Sequence, residues 1–361
     1  MTTQQTQEAA ILEALRTVQD PDLGRDIVSL NFVKDLRVED GDVSFAIELT
    51  TPACPVKEQM HDEAVAAVSR LDGVTKVTVD MTANVRAVDS PEAGKVLIDG
   101  VKNVVAVGAG KGGVGKSTVA VNLALALSRC GGRVGVIDAD VYGPNIPIML
   151  GISTQLETDG KKIVPARSHG IPVVSMGFLT KDETPIIWRG PMLHGVVKQF
   201  FHDVRWGELD YLVVDMPPGT GDVALSLSQS VPVSGAVVVT TPQVVSLADS
   251  RRAVAMYKKL NVPVLGLVEN MSHFACPSCH EESDIFGKGG GETAAEEMGI
   301  PFLGRIPLYQ PIREGGDSGL PIVDSEPDSA AARGFLEVAE RTAARVSIAA
   351  LSSPESVVTA S

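Results

Sequence analysis

Positive charge, cysteine, aromatic residues and long apolar runs are all scarce in this chain of 361 residues. Lys and Arg number 31 against 45 Asp and Glu, which gives a formal net charge of -14. Because such a chain repels nucleic acid phosphates and anionic lipid headgroups, and has no run of basic residues, we expect neither nucleic acid nor a membrane among its partners. No stretch reaches the ~18 apolar residues needed to span a bilayer.

The four cysteines, Cys54, Cys130, Cys276 and Cys279, are too few and too unevenly spaced for a disulfide framework. The N-terminus lacks a basic stretch that leads into an apolar run, so no secretory signal is predicted. Together these two absences favour the cytoplasm.

Length and composition favour two domains of the α/β kind. Hydrophobic residues make up 44% of the chain and aromatic residues only 4%, which suits tightly packed helices and strands. The stretch "DSPEAGK" carries Pro, Gly and charge and is the best candidate for a linker. The predicted order is a small α+β domain over 1–88, a linker over 89–100, a larger domain over 101–348 and a disordered tail over 349–361.

The two predicted domains differ in their apolar pattern. In the first, helices flank short strands such as "VKDLRV" and "VSFAIEL". From residue 103 onwards, runs such as "VVAVGA", "YLVVDM" and "GAVVVTT" show little polar alternation, which is typical of strands buried on both faces. The predicted fold class is therefore α/β: a mostly parallel sheet covered by helices on both faces, preceded by a small α+β domain.

A phosphate-binding loop is the clearest functional signal. The stretch "GKGGVGKS" fits the pattern G-x-x-x-x-G-K-S/T and lies between a predicted strand and a predicted helix. Its glycines let backbone N–H groups cradle phosphate oxygens, while Lys116 would reach the β- and γ-phosphates and Ser117 would hold Mg²⁺. The predicted nucleotide-binding residues are Gly110, Lys111, Gly112, Gly113, Val114, Gly115, Lys116, Ser117 and Thr118.

Carboxylates at two other strand ends belong to the same predicted site. Asp215 ends "YLVVD" and would hold a Mg²⁺-bound water, and the backbone N–H of Gly219 would reach the γ-phosphate. Asp138 and Asp140 end "VIDAD" and would orient the attacking water. The alternative for each of these last two is a carboxylate that only caps the following turn.

The stretch "CPSC" places Cys276 and Cys279 at a spacing at which both thiolates can bind one metal centre. A tetrathiolate site needs four such ligands, and a two-fold dimer would supply the other pair. The residues leave four interpretations open: a [4Fe-4S] cluster, tetrahedral zinc with His273 and His280 nearby, a thioredoxin-like redox pair, and two structural cysteines that have this spacing by chance.

Several stretches carry a resemblance to a known family. The extra lysine of "KGGVGKST", Lys111, resembles the deviant Walker A signature of the MinD and ParA positioning ATPases, the nitrogenase reductase component and the Mrp/ApbC iron-sulfur cluster carriers. "DADVYGPNIP", "VDMPPGTGD", "VENMSHFACPSC" and "IFGKGGGE" resemble the Mrp/ApbC pattern over residues 100 to about 330. The N-terminal module is similar to the metal-sulfur cluster assembly domain often fused ahead of it.

The resemblance implies a slow ATPase that works as a homodimer. Lys111 would reach across the interface to the partner's nucleotide, and Cys276 and Cys279 of two subunits would bridge a labile [4Fe-4S] cluster. That cluster would come from a scaffold or donor protein and pass to apo iron-sulfur proteins. The implied cofactors are ATP, Mg²⁺ and the cluster, and the predicted catalytic residues are Lys111, Lys116, Asp138 and Asp140.

Three further residues are predicted on weaker signals. The related ATPases imply that Asn270 and the Pro307 region flank the adenine. Cys54 lies in a loop just ahead of a predicted helix, whose N-terminus would stabilise a thiolate, so it is a candidate for cluster transfer; the alternative is a structural cysteine. Cys130 is expected only to pack.

Two rival functions fit parts of this sequence. A MinD- or ParA-like positioning or regulatory ATPase with a structural zinc site would need a basic amphipathic helix or basic patches, whereas the C-terminal "AARGFLEVAERTAARVSIAAL" mixes both charges. An electron donor like the nitrogenase reductase component is disfavoured because that family places its two cluster cysteines far apart in sequence.

Overall fold

The structure is a computed structural model that describes residues 3–87, 95–141, 143–154, 156–179, 190–219, 222–276, 278–279 and 281–351. The chain divides into two compact units, Met1–Arg86 and Ala87–Ser361. This division falls within two residues of the boundary predicted at residue 88.

The first unit is a three-stranded sheet packed against two helices. In chain order its elements are α1 (Thr3–Leu15), β1 (Gln19–Asp20), β2 (Arg25–Asp26), β3 (Val33–Glu39), β4 (Asp42–Leu49), α2 (Lys57–Ser69) and β5 (Lys76–Ala83). Strands β3 and β4 pair antiparallel, whereas β4 and β5 pair parallel because α2 carries the chain back between them. One core joins the apolar faces of α1, α2 and β4, as predicted for a small α+β domain.

In the part of the chain that the structure describes, the second unit is built around a sheet of nine strands. In chain order its elements are β6 (Val104–Ala109), α3 (Lys116–Arg129), β7 (Val134–Asp138), α4 (Ile146–Met149), β8 (Glu157–Asp159), β9 (Lys162–Val164), β10 (Ala166–Ser168), β11 (Ile171–Ser175), α5 (Gly190–His202), β12 (Tyr211–Asp215), α6 (Asp222–Ser230), β13 (Gly235–Thr240), α7 (Val244–Lys259), β14 (Val264–Ala275), β15 (Glu282–Ser283), α8 (Gly290–Met298), β16 (Phe302–Leu308), α9 (Gln310–Ser318), α10 (Ile322–Ser325) and α11 (Ala330–Leu351).

Most of this sheet is parallel, which confirms the predicted fold class. The strand order is β10-β11-β7-β12-β6-β13-β14, and β14 then pairs with both β15 and β16. Among the strands of this sheet that the structure describes, only β10 and β15 run antiparallel to their neighbours. In a parallel sheet the carboxyl ends of all strands lie at one edge, so the loops that follow β6, β7 and β12 meet there.

Both faces of the sheet are covered. Val104, Ala106 and Leu212 belong to a core shared with α5, α6, α7 and α8. The alternate residues Val105 and Val107 are also fully buried, and because strand side chains alternate between faces they point the other way, towards α3. The Val-rich runs without polar alternation therefore reflect burial on both sides.

The structure corrects two predicted boundaries. Helix α11 continues to Leu351, so residues 349–351 belong to a helix rather than to a tail, and residues 352–361 lie outside the described part. In the predicted linker, the N–H of Val96 donates to the Ser230 carbonyl and Ile98 is buried in the core, so residues 95–100 pack onto the second unit. Within the described ranges, no helix is long and apolar enough to cross a membrane.

Candidate functional site

The carboxyl edge of the parallel sheet brings the predicted site residues together. The phosphate loop follows β6, Asp138 ends β7 and Asp215 ends β12. In the strand register, Asp215 lies opposite Asp138 on one side and Val107 on the other. Residues as far apart in sequence as Lys116 and Asp215, which are 99 positions apart, are therefore neighbours because their strands are neighbours.

Glycine is required at specific points of the phosphate loop. Gly113 and Gly115 have φ of 81° and 80°, the left-handed region that glycine enters without strain. At Gly110 an added Cβ would lie 2.2 Å from the backbone carbonyl of Asp249 on α7. The loop then enters α3 at Lys116, so its N–H groups lie at a helix N-terminus, where an anion is favoured.

Lys116 connects the loop to both acidic strand ends. Its Nζ lies 2.6 Å from Oδ1 of Asp215, 3.5 Å from Oδ2 of Asp140 and 3.3 Å from Oγ of Ser117. The lysine is only 7% exposed, and an ammonium at this depth requires close anionic partners to offset its lost hydration. The arrangement fixes a positive charge directly beneath the loop.

Asp215 and Ser117 fit a magnesium site. Asp215 is fully buried, and its Oδ2 accepts no hydrogen bond from any described residue, although Oδ1 is bound to Lys116. Burial raises the pKa of Asp215 above its ordinary value, an effect that outweighs Lys116 and Ser117, which lower it. A buried carboxylate oxygen with spare acceptor capacity next to a hydroxyl is the hard oxygen set that Mg²⁺ prefers.

Asp138 is hydrogen-bonded to the loop that follows β7 and does not line the cavity above the phosphate loop. Its carboxylate accepts hydrogen bonds from the N–H of Asp140 at 3.1 Å, the N–H of Ile146 at 3.2 Å and the hydroxyl of Ser175 at 2.8 Å. It is fully buried, and this burial, together with the charge of Asp215, raises its pKa to about 7. Of the two predicted water-orienting aspartates, only Asp140 lines the cavity, so the geometry assigns Asp138 a positioning part.

Gly219 is placed differently from the prediction. Its φ of 90° fits glycine, but its N–H donates to the carbonyl of Ala109 at 3.0 Å. That N–H is already satisfied by the end of β6, so this conformation does not present it to a γ-phosphate. Residues 220 and 221, which follow it, lie outside the described part.

A cavity of about 660 Å³ opens above the phosphate loop, a volume within the range of small-ligand sites. Asn270 and Pro307, the predicted adenine neighbours, both line it. The side-chain Nδ2 of Asn270 also donates to the Val114 carbonyl at 2.8 Å, so this residue supports the loop itself. Lys111 is half-buried at the cavity wall, and its ammonium forms no ion pair with the described residues.

Further cavity residues were not identified from the sequence. They come from α4 and α9, which contact each other on one side of the cavity, and from the residue directly before each of these helices. No local pattern marks them, because they are assembled by packing between segments more than 150 residues apart. These residues are Asn145, Ile148, Tyr309, Ile312, Arg313 and Asp317.

The cysteine pair forms the tip of a hairpin between β14 and β15. The N–H of Cys276 donates to the Glu281 carbonyl at 3.1 Å, which closes the turn. Hydrogen bonds from the backbone of Cys279 and Ser278 lower the pKa of the Cys276 thiol. Cys279 is exposed and Cys276 is half-buried, so the hairpin presents both sulfurs with one stabilised as a thiolate, the form that binds metal.

The described residues near the hairpin do not complete a metal site. His273 pairs with the Ser272 hydroxyl at 2.9 Å and lies 3.6 Å from Glu282, and His280 lies outside the described part. No group of three or more His, Cys, Asp or Glu side chains is arranged for a metal ion within the described ranges.

The two remaining cysteines differ in surroundings. Cys54 is half-buried in the first unit, and its carbonyl accepts the N–H of Lys57 at the start of α2, as the predicted loop-to-helix position requires. Cys130 ends α3, and burial raises the pKa of its thiol to about 11, which suits a packing residue.

The parallel sheet, the phosphate loop and its extra lysine, Lys111, define a P-loop NTPase of the MinD/ParA type. A solved nucleotide-binding protein from Archaeoglobus fulgidus, described as a complex with ADP, aligns with a TM-score of 0.57 at 36% identity over 66% of this chain and 93% of its own. The cell division ATPase MinD of Pyrococcus furiosus aligns with a TM-score of 0.51 at 26% identity over 66% and 97%.

Sequence comparison defines the family more closely. A family profile described as NUBPL iron-transfer P-loop NTPase matches residues 100–343, and one described as iron-sulfur cluster assembly protein matches residues 8–80. The iron-sulfur cluster carrier protein of a Synechocystis strain is 51% identical over 349 residues, which cover 95% of this chain and 98% of that protein. The chain belongs to this family of iron-sulfur cluster carrier P-loop NTPases, which confirms the resemblance carried by the motifs.

The contact between Gly115 and Asn270 yields a first prediction. Gly113 and Gly115 share the left-handed φ, but an added Cβ meets nothing within 4 Å at Gly113 and lies 2.2 Å from Asn270 Nδ2 at Gly115. We expect Gly113→Ala to lower the free energy of unfolding by about 1 kcal/mol and Gly115→Ala by about 2–4 kcal/mol. Urea unfolding followed by tryptophan fluorescence measures this, because both tryptophans lie in the second unit.

The same experiment in an Asn270→Ala background is the control for this pair. There the clash is removed, so Gly115→Ala should cost about as much as Gly113→Ala. Equal losses from the two substitutions in the parent chain would contradict the contact.

The raised pKa of Asp138 yields a second prediction, on pH dependence. Unfolded aspartate titrates near ~3.9 and folded Asp138 at about 7, so between these values the native state binds more protons than the unfolded state. Stability therefore falls as pH rises through this window. We expect the unfolding free energy of the parent chain minus that of Asp138→Asn to decrease by on the order of 2–4 kcal/mol from pH 4 to pH 7. A difference that rises with pH would contradict the raised pKa of Asp138.

Proposed function

We propose that the protein is an ATP-dependent iron-sulfur cluster carrier: it binds and slowly hydrolyses ATP, holds a labile [4Fe-4S] cluster between two subunits and transfers it to apo-proteins. The observation that carries this proposal is the presence, in one P-loop unit, of a complete phosphate loop over a buried lysine and a hairpin that presents two cysteines. The names of the relatives support an iron-sulfur cluster as the cargo, and the Archaeoglobus relative, described as a complex with ADP, supports nucleotide binding.

Each part of the ATP site has a proposed task. The N–H groups of the loop and Lys116 bind the β- and γ-phosphates, and Asn270 and Pro307 lie beside the base. Asp140, which lines the cavity and contacts Lys116, orients the attacking water. Asp138 keeps Asp140 in place through its hydrogen bond to the Asp140 N–H.

Magnesium would be held by the Ser117 hydroxyl and by Asp215, directly or through a bound water. When bound, it would neutralise charge on the β- and γ-phosphates. The protein's own contribution is the Lys116 ammonium, which lies 2.6 Å from Asp215 Oδ1 and favours the ionised carboxylate against the effect of burial.

The cluster is the cargo, and the proposed site needs two chains. Cys276 and Cys279 supply two thiolates, and a two-fold axis at the hairpin would supply the second pair. Lys111, which has no ion pair with the described residues of its own chain, would reach the partner's nucleotide in the same dimer. We propose that a scaffold or donor protein loads the cluster, that apo iron-sulfur proteins receive it, and that Cys54 of the first unit assists the transfer in the cytoplasm.

Cluster content tests the cargo. After anaerobic reconstitution with iron and sulfide, we expect a [4Fe-4S] Mössbauer signature at about two irons per chain. The signature should be absent from a Cys276→Ser, Cys279→Ser variant and retained in a Cys130→Ser variant, which changes a cysteine outside the hairpin. Tightly bound zinc with no cluster, or a cluster that survives loss of both hairpin cysteines, would refute the proposal; the zinc result would favour a MinD- or ParA-like ATPase with a structural zinc.

Lys111 tests the proposed hydrolysis in a dimer. We expect Lys111→Gln to lower kcat for ATP hydrolysis by roughly 100-fold, the usual effect of removing one donor to transition-state charge, while nucleotide affinity changes little. The exposed Lys259 on α7 provides the matched control, since Lys259→Gln removes the same charge away from the cavity. An unchanged kcat in Lys111→Gln would rule out its trans role.

A further inference from the structure

One strand contacts both candidate sites. Asn270 and Met271 of β14 line the nucleotide cavity, and Cys276 directly follows the last residue of the same strand, Ala275. At about 3.3 Å per residue, the six steps from Asn270 to Cys276 span at most about 20 Å. The two sites are thus connected by a short covalent path as well as by the fold.

At its cavity end, β14 is attached to the phosphate loop. The Nδ2 of Asn270 donates to the carbonyl of Val114 at 2.8 Å, and the asparagine is 5% exposed. The approach is possible because Gly115 has no Cβ. A movement of the loop is therefore passed to the backbone of β14 through a buried hydrogen bond.

Between the two sites the strand is irregular. Asn270 pairs with Ile306 of β16 and the next pair is Phe274 with Leu308, so three residues of β14 lie opposite the single residue Pro307. Met271, the first of the three, has φ of 54°, a left-handed conformation that costs a non-glycine residue about 1–2 kcal/mol. This bulge, residues 271–273, holds spare backbone length where the ladder is interrupted.

The bulge borders the cavity on both strands. Met271 on β14 and Pro307 on β16 both line it. Across the two strands, the Ser272 hydroxyl donates a long hydrogen bond, 3.3 Å, to the Ile306 carbonyl. A ligand in the cavity would therefore press on the least regular part of the sheet.

Beyond the bulge, the hairpin follows the strand. Phe274 pairs with Ser283 and Ala275 with Glu282, and Cys276 then closes the turn through the Glu281 carbonyl. Only these two residue pairs separate the bulge from the cysteines, so a change in the bulge would reorient the hairpin that carries them.

We propose that the bulge at Met271–His273 couples the two sites, with Asn270 and Met271 as positioning residues that let nucleotide in the cavity change the orientation and accessibility of Cys276 and Cys279. The inference rests on the nucleotide binding proposed above and adds the route by which it reaches the thiols. It requires no bound cluster, so it can be tested on the cluster-free chain.

The test is the alkylation rate of each cysteine in the reduced, cluster-free, full-length protein. Iodoacetamide labelling is followed by mass spectrometry at single-residue resolution, with and without saturating Mg-ADP, and binding of ADP is measured separately by calorimetry. We expect ADP to change the rates at Cys276 and Cys279 by threefold or more. Cys54, which belongs to the other unit, serves as the internal reference and should change by less than 1.5-fold.

Three variants locate the coupling. Asn270→Ala removes the link to the loop, and Met271→Gly keeps the left-handed φ without strain but loosens the bulge; each should bring the ADP effect at both hairpin cysteines below 1.5-fold at saturating ADP. Ile312→Ala, which alters the cavity wall on α9, should retain the full effect once ADP is saturating. Met271→Gly also guards against a folding defect in Asn270→Ala, because glycine is tolerated at that φ.

The outcomes separate the inference from the proposed function. If ADP binds to the parent chain and leaves both cysteine rates unchanged, or if Asn270→Ala and Met271→Gly keep the full effect, the coupling is overturned while nucleotide binding stands. If calorimetry detects no ADP binding, the proposed ATP site itself fails and the inference fails with it.

Discussion

A lysine ammonium buried between two carboxylates is the interaction on which the rest of the site depends. Lys116 would be strongly unfavourable at 7% exposure without Asp215 and Asp140. Those two partners come from the ends of β12 and the loop after β7, so the ion pairs require the strand order that places β12 between β6 and β7. The buried charge at the base of the loop therefore depends on the sheet topology. Loss of the strand order would leave the Lys116 ammonium buried without a partner.

Strand β14 connects this site to the cysteines, and its two faces have different partners. Glu269 is fully buried and accepts N–H groups of Gly289 and Gly291 at the start of α8, while its neighbour Asn270 holds the phosphate loop. Consecutive strand residues point to opposite faces, so a single step along β14 connects the helix layer on one side with the nucleotide cavity on the other. The strand is fixed at these two residues and irregular directly after them, which is where freedom of movement is useful.

Structural features that depend on a local sequence pattern could be predicted from the sequence. The loop glycines, Lys116 and the Val-rich strands all follow from backbone geometry or from burial on both faces, and the structure places them as expected. Features that depend on the partners of a side chain were harder to predict. Asp138 and Asp140 look equivalent in "VIDAD", yet Asp138 accepts three hydrogen bonds in the interior and Asp140 lines the cavity. The wall formed by α4 and α9 and the bulge at Met271 have no local signature at all, because both result from pairing between distant segments.

In the proposed function, neither the nucleotide site nor the cysteine site is complete in one chain. Lys111 has no ionic partner among the described residues, and the hairpin offers two thiolates where a tetrathiolate cluster needs four. One two-fold axis would complete both sites, so ATP and cluster would each bind the dimer more tightly than the monomer. Thermodynamic linkage then requires the coupling to be reciprocal: if ATP raises affinity for the cluster, the cluster raises affinity for ATP by the same factor. In this proposal, hydrolysis would replace ATP by ADP and so weaken retention of the cluster, which would give a carrier a physical means of release.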